Sequence, residues 1–132
     1  MRIVIDGYNL IRQSPVFSPE EKLDSERGRR ALNRCLARYQ DLRGHRITVI
    51  FDGARGNSIS RIIVREEGVR TIYSGQQESA DDVIMCMVDK DPGGMMLVTS
   101  DRALADYAAK RGVAVISSQE FEERMKSSLL PV

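Results

Sequence analysis

Arg2-Ile3-Val4-Ile5-Asp6-Gly7-Tyr8-Asn9-Leu10 opens the chain and decides how the rest is read. Three β-branched residues in succession, without polar alternation, describe a strand buried on both faces, and Gly7 breaks the run. The pattern recurs: Ile47-Thr48-Val49-Ile50-Phe51 runs into Asp52-Gly53, and Met95-Met96-Leu97-Val98-Thr99-Ser100 runs into Asp101. Helical stretches separate these strands. Asp24 or Ser25 caps a helix to about Leu42, with Ala31, Leu32, Cys35, Leu36, Tyr39 and Leu42 on one side and Gly44 ending it. Ser79 opens a second helix through about Asp89, Arg102 to Arg111 form a third stopped by Gly112, and Ser118 caps a closing one. Ile62–Val64, Val69–Tyr73 and Val113–Ile116 are short strands, the first a candidate edge hairpin. Pro15 and Pro19 mark residues 13–23 as a loop, and residues 54–61 read as an irregular one. Strands apolar on both faces, alternating with helices, predict a three-layer α/β/α sandwich around a mainly parallel sheet, one domain over residues 1–132.

The composition is consistent with that. At 132 residues and 42% hydrophobic the chain can build a core, and its apolar runs fall far short of a membrane span. The start of the chain has no signal-peptide pattern, so a cytoplasmic location is expected. Cys35 and Cys86 make no disulfide framework, and the one histidine, His45, excludes an ordinary His-based zinc site. The net charge of +1 hides an asymmetry: residues 1–70 carry +5 and residues 71–132 carry −4. Such a division suits a polyanionic partner, or equally an ordinary charged surface.

Parallel strands share one carboxyl edge, which is where such sheets bind ligands. Asp6, Asp52 and Asp101 should therefore meet there, joined by Asp81 and Asp82 at the start of the helix that Ser79 opens. Unneutralised, these carboxylates would raise one another's pKa values; an all-oxygen cluster suits Mg²⁺ or Mn²⁺. Each also has a plainer explanation, since Asp-Gly pairs make turns and Asp101, Ser79 or Asp81 can cap helices. Gly7 would allow positive φ or admit a ligand close to the backbone, Asn9 would reach back as a neutral ligand or orient a water, and Ser100 would hydrogen-bond the cluster.

Other chemistries lack their residues. There is neither a P-loop nor a G-x-G-x-x-G, so no dinucleotide cofactor is expected. The position two beyond Asp6, where an aspartyl phosphotransferase wants a second acid, is Tyr8. Residues 113–118 hold no receiver-type lysine, and His45 lies at the wrong end of its strand to serve a nucleophile.

Ile5-Asp6-Gly7-Tyr8-Asn9-Leu10, Val49-Ile50-Phe51-Asp52-Gly53, Ser79-Ala80-Asp81-Asp82-Val83-Ile84 and Val98-Thr99-Ser100-Asp101 together resemble the NYN domain, a branch of the PIN-like ribonucleases, in its bacterial YacP-like form. The resemblance runs from Arg2 to about Phe121. It implies a PIN-like fold and a metal-dependent endoribonuclease in which Asp6, Asp81, Asp82 and Asp101 bind Mg²⁺ or Mn²⁺, with Asn9 and Asp52 in support. The family's Asp-Glu pair is Asp81-Asp82 here. Relatives often continue past the point corresponding to Val132, so an RNA contact made by such an extension is expected to be missing. An RNA-binding module of the same fold with little cleavage is the alternative, and a small phosphohydrolase a third reading.

For an RNA substrate, Arg55 and Arg61 flank a flexible loop beyond Asp52 and are placed on the phosphates. Arg27, Arg30, Arg34 and Arg38 line a helix stripe that is either a second contact, through Arg30 and Arg34, or a solvated face. Tyr8 would stack on a base or pack on the sheet.

Overall fold

The strand Arg2–Asp6 (β1) has parallel neighbours on both sides, Arg46–Phe51 (β2) and Met95–Val98 (β5). The computed structural model describes residues 1–53 and 58–130, and within them β1 sits inside a six-stranded sheet. Val69–Tyr73 (β4) adds to β2 in parallel, Ile62–Glu66 (β3) pairs antiparallel with β4 at one edge, and Ala114–Ile116 (β6) closes the other. The order is β3-β4-β2-β1-β5-β6. The chain grows outward from β1 on one side and then crosses back to β5 on the other. That reversal leaves a crevice at the carboxyl ends of the central strands.

Strand alternation divides the core into two layers. Ile3, Ile5, Val49, Phe51 and Val98 face Gly7–Gln13 (α1), Phe17–Leu23 (α2), Ser25–Arg43 (α3) and Ser118–Leu129 (α6). Val4, Ile50, Ile72 and Leu97 face Ala80–Lys90 (α4) and Arg102–Ala109 (α5). The expected three-layer sandwich is the observed one. The predicted edge hairpin is β3 with β4, and Gly44 ends α3 at a left-handed φ of 70°.

Three local readings change. Residues 13–23 are mostly helical, because both prolines fall at tolerated positions. Pro15 follows the end of α1, and Pro19 stands in the first turn of α2, where no backbone donor is needed. Ser14 Oγ accepts from the amides of Val16 and Phe17, and buried Phe17 anchors α2 to the core. Ser117, one residue earlier than predicted, caps α6 by accepting from Glu120 N at 3.1 Å. Gly7 serves the protein's packing: a Cβ there would lie 2.4 Å from Phe51 Cε1 and 2.9 Å from the Ile50 carbonyl oxygen. Residues 54–57, half of the predicted 54–61 loop, lie outside the described residues.

Gly7→Ala should therefore destabilise the protein by about 1–3 kcal/mol in urea unfolding, the usual cost of overpacking. Gly93→Ala, with nothing within 4 Å of its added carbon, should stay within about 0.5 kcal/mol of the parent.

Candidate active site

Asp6 is the last residue of β1, and only 8% of it is exposed. Its Oδ2 accepts a hydrogen bond from Thr99 Oγ1 at 3.0 Å, from the segment just beyond β5. Burial raises its pKa most strongly, and the charges of Asp81 and Asp101 raise it further, while the Thr99 hydroxyl and the Arg12 guanidinium oppose them. The balance puts Asp6 at about 6. Asp81, in the first turn of α4, is likewise pushed up, first by burial and then by Asp101, Asp82 and Asp52. Charge thus couples Asp6 to Asp81 and Asp101, and Asp81 to Asp52, along the carboxyl edge. Among the described residues, however, no three carboxylate, thiol or imidazole side chains already stand around a single point that could hold an ion. The acids are coupled by charge, and the donor set is all oxygen with more negative charge than Arg12 offsets. A donor set of this kind would suit a hard divalent cation.

The acids differ in what else engages them. The Asp81 carboxylate makes no hydrogen bond or ion pair among the described residues. Asp101 Oδ1 caps α5 by accepting from Leu104 N at 2.9 Å. Asp82 is exposed and belongs to a capping box: its Oδ2 accepts from Ser79 N at 2.9 Å, and its own N donates to Ser79 Oγ at 3.1 Å. Its carboxylate is occupied by the helix start. Asp52 is exposed and accepts from Ser74 Oγ at 3.1 Å. Asp6, Asp52 and Asp81 line one cleft of about 510 Å³ together with Tyr8, Asn9 and Arg12.

The remaining expected residues are placed as follows. Asn9 Oδ1 accepts from Ser100 N at 2.8 Å and from Ser118 Oγ at 2.7 Å, which fastens the end of β5 and the start of α6 to α1. Ser100 Oγ donates to Gln119 Oε1 and accepts from Ser118 N, so its hydroxyl belongs to that fastening. Tyr8 packs edge-on against Phe51, with the Arg12 guanidinium 4.9 Å from its ring centre. Its hydroxyl accepts from Arg29 Nη1 at 2.8 Å. Arg61 is paired with Glu78 at 2.8 Å, Arg30 with Glu26 and Arg34 with Glu67, so these guanidiniums have carboxylate partners of their own. Arg55 lies outside the described residues.

Two contributors were missed by sequence reasoning. Thr99 holds Asp6 and also accepts from Asp101 N at 3.1 Å, linking two of the acids. Its place beside Ser100-Asp101 was the available signal. Arg29 is buried against the sheet side of α3, a position that helix periodicity assigns to core rather than to function.

The sheet order, with acids gathered where the strand order reverses, defines a PIN-like α/β fold. Crystal structures of Rae1 (YacP) from Bacillus subtilis share it. One, a single-site mutant, superposes with a TM-score of 0.81 at 22% identity, over 96% of this chain and 76% of that one. Another gives 0.73 at 23% identity, over 97% and 75%. No curated protein matches the chain. The pattern of the YacP-like NYN domain matches residues 3–129, and the chain belongs to that family.

Asp6 makes the metal-free fold pH-dependent. Its folded pKa lies above the unfolded value, so the stability it contributes is complete below about pH 4 and is lost as the pH rises through about 6. Asp6→Asn keeps an acceptor for Thr99 and should be more stable than the parent by about 2–3 kcal/mol at pH 7 in chelator. The difference should vanish near pH 4, as read by urea unfolding. Thr99→Val removes the bond that favours the ionised form. A carboxyl-carbon NMR titration should then find Asp6 protonated to a higher pH than in the parent.

Proposed function

We propose that this protein is a metal-dependent endoribonuclease that hydrolyses RNA phosphodiester bonds, with Mg²⁺ or Mn²⁺ held by Asp6, Asp81 and Asp101. The observation that carries the reading is the Asp6 carboxylate, buried at the carboxyl edge of the sheet and sharing one cleft with Asp52 and Asp81, its pKa pushed up first by that burial and then by the charges of Asp81 and Asp101. Membership of a PIN-like family supports RNA as the substrate. When bound, a hard divalent cation acidifies a coordinated water and offsets charge on the leaving oxygen. The chain's own residues do the positioning. Thr99 fixes the orientation of Asp6, the α5 cap fixes Asp101, and Asp81 is unencumbered. Asp52 faces the same cleft from the end of β2 and is placed to orient a water, and Tyr8 with Arg12 forms a wall against which a nucleotide can lie. Asp82 supports the site by starting α4 in the right place. No helix of the described residues is long and apolar enough to cross a membrane, and with two free thiols the cytoplasm is the compartment we assign.

The engagement of Asp82 in its cap favours the second reading, an RNA-binding module of the same fold that cuts poorly. One experiment separates the two. A labelled RNA should be nicked with Mg²⁺ or Mn²⁺ and left intact in chelator, and Asp81→Asn or Asp101→Asn should slow nicking by about 100-fold or more. Asparagine still caps a helix, so Asp101→Asn should fold. The divalent ion should also raise the melting temperature of the parent, and Asp101→Asn should lose most of that rise. RNA binding without metal-dependent nicking would establish the module instead.

A further inference from the structure

Alternation along the strands puts Arg46, Arg65 and Arg70 on one face of the sheet, the face that carries Ile50 and Ile72 against α4. Arg65 stands directly opposite Arg70 across the β3–β4 ladder. Arg70 in turn pairs with Thr48, two residues along β2 from Arg46, and donates to its hydroxyl at 3.2 Å. Like charges in direct cross-strand register destabilise a sheet, so this arrangement costs stability unless an anion joins it. None of the three guanidiniums has a carboxylate partner among the described residues. Arg65 reaches only the Gly68 carbonyl, whereas Arg30, Arg34 and Arg61 are each paired with a glutamate. Neighbouring Arg2 is held by Asp91 at 2.5 Å. The three free cations converge on an open cavity of about 620 Å³ at the opposite end of β2 from the acids, with Asp41 its one acidic lining residue.

We propose that Arg46, Arg65 and Arg70 form a second phosphate site, which grips the RNA backbone away from the point of cleavage. The proposal rests on RNA being the substrate. From Arg46 to the end of β2 is five residue steps, roughly 17 Å at 3.3 Å each. At about 3.4 Å per nucleotide of stacked strand, an RNA must extend at least about five nucleotides from the acids to reach the patch. Guanidiniums suit this role because they bind phosphate oxygens in pairs and stay charged at any working pH. Short substrates are then held by the cleft alone, and long ones by the cleft and the patch together.

The test is a full-length variant carrying Arg46→Gln, Arg65→Gln and Arg70→Gln. Its affinity for a labelled RNA of about 30 nucleotides should fall at least about tenfold at low salt, and its salt slope should be shallower by about two, from about 0.7 per phosphate. Nicking of an RNA of about four nucleotides should match the parent. Lysine at the same three positions should restore most of the slope, since phosphate attraction follows charge. If the glutamine variant fails to fold, Arg65→Gln alone, on the edge strand, should lower the slope by about 0.7. Parental affinity and slope in the folded variant, with the parent binding RNA, would overturn the patch and leave the RNA reading intact. A parent that binds neither RNA would overturn both.

Discussion

Gly7 sits where a methyl group would strike the ring of Phe51, and the missing atom lets α1 begin one residue after β1 ends. The rest of the carboxyl edge depends on that contact. With no linker between strand and helix, Asp6 cannot swing out into solvent. It is held at the junction, covered by α1 and by the end of β5, and its oxygen lies within reach of Thr99. Tyr8, the next residue, is pressed onto the same phenylalanine ring and becomes a wall of the cleft. One close approach between backbone and ring therefore sets both the burial of the acid and the shape of the space it faces.

That burial sets stability against chemistry. A carboxylate displaced to a pKa of about 6 is a net cost to the metal-free fold at neutral pH. Two of its acidic neighbours stand at helix starts. Asp101 is the N-cap of α5, and Asp81 lies in the first turn of α4, where the unpaired amides of a helix start favour negative charge. The capping roles and the proposed metal roles are therefore compatible. Asp101 uses only one of its oxygens for the cap.

How much of this was legible in the sequence follows from the range of the interactions involved. The strands, their terminal aspartates, the Gly44 stop and the Ser79 cap are local signals, and each is found where the sequence puts it. The stretch from Ser14 to Leu23 misled because two prolines look alike in a sequence, while their effect depends on whether each falls outside a helix or in its first turn. Asn9 and Ser100 stand out in the sequence, but their hydrogen-bond partners do not. Their bonds run to one another and to Ser118, across separations of 91 and 109 residues, which no local pattern encodes. Arg61 was likewise placed near the loop correctly, but nothing nearby in sequence reveals that Glu78 holds it.

The fastening of α6 to α1 also sets the order in which the molecule can be completed. Ser118 bonds Asn9, Gln119 bonds Gln13, and Glu122, buried, bonds Ser14, joining residues 106 to 109 positions apart. Contacts so distant along the chain close late. A polypeptide still emerging from synthesis therefore carries all four aspartates of the cluster while lacking one side of the scaffold that fixes Asn9. Only when α6 docks is the carboxyl edge complete, so a nascent chain has its acids before it has the site.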